Sequence, residues 1–267
     1  MEELVITSTK NPRIKHLLAL QEKSSLRRKE GLFVVEGRRE LEHCLEAGYE
    51  VESIFSLSPN PISAEAHVRS FSPNGEGNVY LVTPQVYEKI AYRGSTEGVI
   101  AIVKAKQHRL EDLQLPEHPL IVVLESVEKP GNLGAVLRSA DAAQANAVIV
   151  CDPLTDLYNP NLIRSSIGAI FTVPTVACSS EECIRFFQEH GIQILTAQLQ
   201  DSRLYYDTPM TDGTAIVMGT ESTGLTDQWR RAATAHIRIP MLGRLDSLNV
   251  SVSAAILLFE AVRQRQK

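Results

Sequence analysis

From Leu120 onward the chain repeats one pattern: a short apolar run, a polar or glycine-rich break, then a helical stretch. The apolar runs are Leu120–Leu124, Ala147–Cys151, Val173–Val176, Ile192–Thr196 and Ala215–Met218. Helical segments near Leu133–Ala143, Pro160–Ala169 and Glu181–His190 lie between them. Short, unbroken runs of Val, Ile and Leu read as strands buried on both faces, and strands alternating with helices build a parallel sheet. The pattern therefore predicts an α/β fold for this half.

The residues upstream predict a second, smaller α/β unit. Asn11-Pro12 reads as a helix cap followed by proline at the first helical position, with Ile14, Leu17, Leu18 and Leu20 as the apolar stripe. Leu26-Arg27-Arg28-Lys29 reads as a charged break. Strands are expected at Leu32–Val35, Val51–Leu57, Val79–Val82 and Val99–Val103. Helices are expected at Arg38–Ala47, ending at Gly48, at Ala64–Val68 and from Thr83-Pro84, with a polar loop at Ser72–Gly75. KAKQHRLEDLQLPEHP, Lys104–Pro119, is polar and carries two prolines, which reads as a connector. The expected domains are residues 1–105 and 120–267, joined by a linker at 106–119.

Charge is unevenly spread. Thr9 to Arg39 holds nine Lys and Arg against three Glu, a local +6, so the other 236 residues carry −11 of the total −5. A basic arm on an acidic body can neutralise phosphates, although basic surface is also commonplace. No apolar run approaches the roughly 18 to 20 residues that span a bilayer, and MEELVITSTKNPRIK lacks a signal-like apolar core. A cytoplasmic protein with no membrane partner is expected. Cys44, Cys151, Cys178 and Cys183 form no CxxC pair, so neither a metal nor a disulfide is assigned from spacing.

Three loops follow strands and open helices, the edge at which α/β sheets place ligands. The first, KPGNLGAVLR, puts Asn132 at an expected N-cap and Arg138 about two turns on. The Arg offers a planar fork of donors to phosphate, yet a capped helix with a solvated Arg reads equally well. The second, MGTESTGL, sets Glu221 between Gly219 and Gly224, either a ligand loop with close backbone approach or an ordinary turn with a capping Glu. The third, IRIPMLGRLDSLN, delivers Ser247 and Asn249 to the start of the apolar segment Val250–Val262. One of the two caps a helix that is apolar nearly all round and so is buried on several sides, within one chain or between two.

In order, spacing and residue type these loops resemble the three motifs of the SpoU (TrmH-like) RNA ribose 2′-O-methyltransferases of the SPOUT superfamily, across about residues 120–265. STKNPRIKHLLAL and FVVEGRRELEHCLEAG resemble the L30e-like substrate-binding domain that many such enzymes carry. The resemblance implies a C-terminal parallel-sheet domain tied in a deep trefoil knot, and transfer of a methyl group from S-adenosylmethionine to a ribose 2′-hydroxyl. It implies Gly219, Ile239 and Leu248 for the cofactor, with Thr196 a further contact, and Asn132, Arg138, Glu221, Ser247 and Asn249 for catalysis. It also implies a homodimer through the C-terminal domain, one subunit's Arg138 facing its partner's cofactor. Arg27, Arg28, Lys29 and Arg93, with Lys10 and Arg13, become candidate RNA phosphate contacts, and ribosomal RNA is favoured over transfer RNA. Glu128-Lys129 and Gln144 depart from the residues usual in the family, which touches loop shape more than chemistry. The competing readings are a SPOUT base methyltransferase and a non-catalytic RNA-binding protein of the same fold. A resistance enzyme protecting ribosomal RNA would share the chemistry and differ in target.

Overall fold

The computed structural model describes residues 5–57, 78–92, 98–220 and 223–266. These form two compact units, one of Met1–Gln107 with Asp156–Thr172 and one of His108–Thr155 with Val173–Lys267. The expected helix at Ala64–Val68 and loop at Ser72–Gly75 lie outside the described residues.

In the first unit, β1 (Val5–Ile6), β2 (Leu32–Glu36), β3 (Val51–Ser56), β4 (Asn78–Val82) and β5 (Val99–Lys104) make one mixed sheet in the order β1-β4-β3-β5-β2. Helix α1 (Pro12–Glu22) starts as its sequence dictates: the Asn11 side chain accepts from Arg13 N at 2.9 Å, with Pro12 at the first position. Its buried face is Ile14, Leu17 and Leu20. The expected charged break is instead a second helix, α2 (Ser24–Glu30), closed by Gly31 at φ 65°. Arg27 explains the change. It is 4% exposed, and its guanidinium donates to Asp156 at 2.6 Å and to the carbonyls of Leu20 and Gln21 at 2.6 and 3.0 Å. A buried guanidinium satisfied in this way is a structural member of the unit, so Arg27 is withdrawn as a phosphate contact. Helices α3 (Arg38–Glu46) and α4 (Pro84–Ile90) follow among the described residues of the part that is continuous in sequence.

The remaining part comes from the second half of the chain. Pro160–Ala169 was expected to belong with the C-terminal series, but α6 (Pro160–Ser166) and α7 (Ala169–Thr172) pack with the first unit. Aromatic rings anchor them. Tyr158 stacks on Phe33 at 4.3 Å between centroids, and Phe171 meets Tyr49 edge-on at 5.3 Å. The Tyr158 hydroxyl donates to Lys106 O at 2.7 Å and receives Lys106 N at 3.0 Å. No hydropathy period carries this information, because the pairing spans about half the chain.

The second unit is a seven-stranded, wholly parallel sheet in the order β10-β12-β9-β11-β6-β7-β8. Its strands are β6 (Leu120–Glu125), β7 (Ala147–Cys151), β8 (Thr175–Cys178), β9 (Gln193–Ala197), β10 (Arg203–Leu204), β11 (Thr214–Met218) and β12 (Ala235–Arg238). On one face α8 (Ser180–Glu189) and α9 (Asp227–Ala232) bring Cys183, Phe187 and Trp229 onto Ile121, Val123, Ala215 and Val217. Helices α5 (Pro130–Ala142) and α10 (Val250–Arg265) pack on each other, α10 over β6 and β11 and α5 against β7. The segment read as a linker is docked rather than free: Leu110 is 5% exposed within this core, and Leu113 and Leu115 pack against it. Among the described residues no helix is long and apolar enough to cross a membrane.

Candidate active site

Strands β6, β11 and β12 end at one edge of the parallel sheet, and the loops after them carry the motif residues. After β6 the chain turns through Ser126, at φ 52°, and α5 begins at Pro130, whose fixed φ suits the first helical position. Lys129 therefore holds the N-cap position. Asn132, expected there, lies inside the first turn. Its side-chain oxygen accepts from Asn249 Nδ2 at 3.2 Å. Asn249 is the N-cap of α10, accepting from Ser251 N at 3.0 Å and Ser251 Oγ at 2.6 Å. The amide pair thus joins the first turns of two helices whose dipoles favour negative charge nearby.

The β11 loop folds back tightly. Gly224 N donates to Thr220 O at 3.1 Å, and Thr223 N to Thr220 Oγ1 at 3.0 Å. A Cβ on Gly219 would lie 2.2 Å from the carbonyl carbon of Gly224, so the backbone crossing itself demands glycine. The loop is anchored behind by a buried polar network that the sequence reading missed. Glu125, 2% exposed at the end of β6, accepts from Thr226 N at 2.9 Å and from Thr226 Oγ1 at 2.6 Å. Ser180 Oγ donates to Asp152 at 2.6 Å and accepts from Trp229 Nε1 at 2.9 Å. One signal was legible: a lone carboxylate closing the apolar run LIVVLE must be buried with partners.

These loops enclose a cleft of about 420 Å³, with Gly219, Ile239, Ser247 and Leu248 on its wall. The sequence reading did not single out Gln198, Met241 or Ser253, which also face it. A cleft of this size suits a nucleoside-sized ligand. Thr196 does not reach it: the side chain is fully buried and bonds His236 Nδ1 at 2.6 Å, and the cleft wall begins one residue later, at Ala197. A smaller hollow of about 130 Å³ adjoins it, lined by Ser126, Lys129 and Asn132 and sharing Gly219, Thr220 and Val250 with the cleft. Arg138 stands exposed on α5 and lines neither space. Arg28 and Lys29 are exposed on α2, whereas Glu221 and Arg93 lie outside the described residues.

Comparison with known proteins points the same way. Residues 119–259 match the SpoU rRNA Methylase family, and residues 11–101 match the MRM3-like substrate binding domain. A 23S rRNA (guanosine-2′-O-)-methyltransferase of Vibrio vulnificus is 40% identical over 69% of this chain and 77% of its own length. A 23S rRNA (uridine(2479)-2′-O)-methyltransferase of Streptomyces viridochromogenes is 28% identical over 97% of this chain and 92% of its own. The crystal structure of an AdoMet-bound rRNA methyltransferase from Sinorhizobium meliloti superposes with a TM-score of 0.90 at 29% identity, covering 98% of both chains.

Proposed function

The chain belongs to the SpoU rRNA methylase family, and from that premise we propose that it methylates a ribose 2′-hydroxyl of ribosomal RNA with S-adenosylmethionine as donor. The observation that carries this reading is the pair of adjoining spaces that share Gly219, Thr220 and Val250, one sized for a nucleoside and one lined by Asn132. The larger fits S-adenosylmethionine: the close crossing at Gly219 exposes backbone groups, and Ile239 and Leu248 offer apolar walls. When bound, the cofactor supplies an electrophilic methyl group on a sulfonium.

The rest falls to the chain. A ribose hydroxyl must lose its proton as its oxygen bonds to the methyl carbon. The paired first turns of α5 and α10 set two positive dipole ends beside the negative charge that develops on that oxygen. Asn132 and Asn249, tied to each other, orient the sugar, and Ser247 borders the methyl donor. Arg138 carries a guanidinium, a fork of donors rather than an acceptor of protons; its roles are to clamp the neighbouring phosphate and to stabilise the alkoxide.

Arg138 does not line the cleft of its own chain, and a second subunit accounts for this. Val252, Ile256 and Phe259 lie at i, i+4 and i+7 on α10; Val252 and Phe259 are 47% and 49% exposed. An exposed apolar stripe beside the Arg-bearing helix is a surface for a second copy, which would bring Arg138 to the partner's cleft. The deep knot and a cytoplasmic location belong to the same reading. The relatives modify a guanosine in one case and a uridine in the other, so the nucleotide is left unassigned.

The test is incubation with tritium-labelled S-adenosylmethionine and undermethylated ribosomal and transfer RNA, beside Arg138→Ala, with the label mapped by nuclease digestion and mass spectrometry. Label on a ribose of ribosomal RNA, lost in the variant, is expected. Label on a base moves the protein to the base methyltransferases, and no cofactor binding at all sinks the reading.

A further inference from the structure

Three of the four cysteines meet at a corner of the second unit. Cys151 ends β7 and Cys178 ends β8, where the two are register partners, and Cys183 lies on α8. Their sulfurs all lie within 4.8 Å of one another. Cys151 and Cys183 are fully buried, while Cys178 is half-buried and borders a cleft of about 880 Å³ between α8 and the His108–Leu115 segment. Sequence spacing hid the cluster, because a parallel strand pairing and a helix cap bring the residues together. Ser179 caps α8, so Cys178 and Cys183 occupy the positions flanking the first turn that ordinarily make an apolar staple.

We propose that Cys151, Cys178 and Cys183 form a three-thiolate site for a thiophilic closed-shell metal ion such as Zn²⁺. Core packing would be served by any small apolar residue at these positions, whereas three sulfurs from three separate elements pointing at one another make a soft donor set. The geometry is close to what binding needs. Zinc–sulfur bonds of about 2.3 Å in a tetrahedral shell put the sulfurs about 3.8 Å apart, so small side-chain rotations from the present spacing suffice. Three protein ligands leave a fourth position, and Cys178 opens it toward the cleft, where water or a small exogenous ligand can enter. Binding replaces three S–H bonds with three metal–sulfur bonds and releases three protons. The divalent ion offsets most of the resulting charge beside Asp152 and Glu182, the immediate chain neighbours of Cys151 and Cys183.

Titrating the reduced, metal-free full-length protein with Co²⁺ tests the site. A thiolate-to-cobalt charge-transfer band that saturates at one equivalent and is displaced by Zn²⁺ is expected. Cys178→Ser and Cys183→Ser should lose the band, and Cys44→Ser, whose residue lies in the other unit, should keep it. Zn²⁺ should raise the Tm of the wild type and leave that of Cys178→Ser unchanged. Cys183 is fully buried, so the partly exposed Cys178 keeps the test decisive if Cys183→Ser does not fold. No band, or a band that survives in Cys178→Ser, overturns the proposal.

Discussion

A single methyl group at position 219 would collide with the backbone of Gly224 at 2.2 Å, and neither strand of that crossing is a flexible side-chain end that could give way. Gly219→Ala must therefore open the loop that walls the cleft we assign to the cofactor. S-adenosylmethionine affinity is expected to fall by tenfold or more, about 1.4 kcal/mol, in isothermal titration; unchanged affinity would place the cofactor elsewhere. Asn249 carries two duties that variants can separate. Asn249→Ala removes both the cap of α10 and the contact to Asn132, a loss of about 1 kcal/mol that should lower Tm by roughly 2–4 °C. Asn249→Ser keeps a capping oxygen but cannot span the 3.2 Å link to Asn132. Its Tm should stay near wild type while methyl transfer falls. If transfer survives in Asn249→Ser, the amide pair is a cap and nothing more.

Elements were legible in the sequence wherever one face or a continuous apolar run decided them. The strands at Ala147–Cys151 and Ala215–Met218 lie within a residue of their expected places, and the helix following Asn249 starts where expected and runs three residues past Val262, because burial fixed them locally. The misreadings share one physical cause, distant partners. Leu26–Lys29 looked like a break because Arg27 finds Asp156 more than a hundred residues away, and Pro160–Ala169 looked C-terminal because Tyr158 and Phe171 find Phe33 and Tyr49. The motif loops could be read from residue type; the Glu125 network behind them is a matter of which strands adjoin. Two tests follow at this scale. Asp156→Ala leaves the 4%-exposed Arg27 as an uncompensated buried charge, and urea unfolding of the first unit should show a loss of about 3–5 kcal/mol. Charge placed on the exposed α10 stripe, Val252→Glu with Phe259→Glu, should convert a dimer to a monomer in light scattering and abolish methyl transfer with cofactor binding retained. A wild-type protein that is monomeric at assay concentration would remove the shared-site account of Arg138.

At the scale of the molecule, the charge distribution sets a problem that a nucleic-acid enzyme must solve. The chain carries −5 overall while its first helices are basic, so long-range attraction to RNA cannot come from net charge and must come from a local patch. With Arg27 committed to the interior, Arg28 and Lys29 on α2 remain exposed, as do Lys10 and Arg13, the last lying over the ring of Tyr80 at 4.9 Å. Each phosphate contact releases condensed counterions, so it should register in the salt dependence rather than in base preference. Arg28→Ala and Lys29→Ala are each expected to weaken RNA binding evenly across sequences. Each should also reduce the slope of log affinity against log salt by about 1, with kcat at saturating RNA unchanged. Arg138→Ala should differ in collapsing kcat even at saturating RNA, because beyond its single phosphate contact the residue works on the developing charge at the reaction centre. Filter binding across a salt series, paired with single-turnover methylation, separates the two. If Arg28 and Lys29 variants leave the slope intact, the basic arm is a solvated surface and the RNA is held by some other face of the protein.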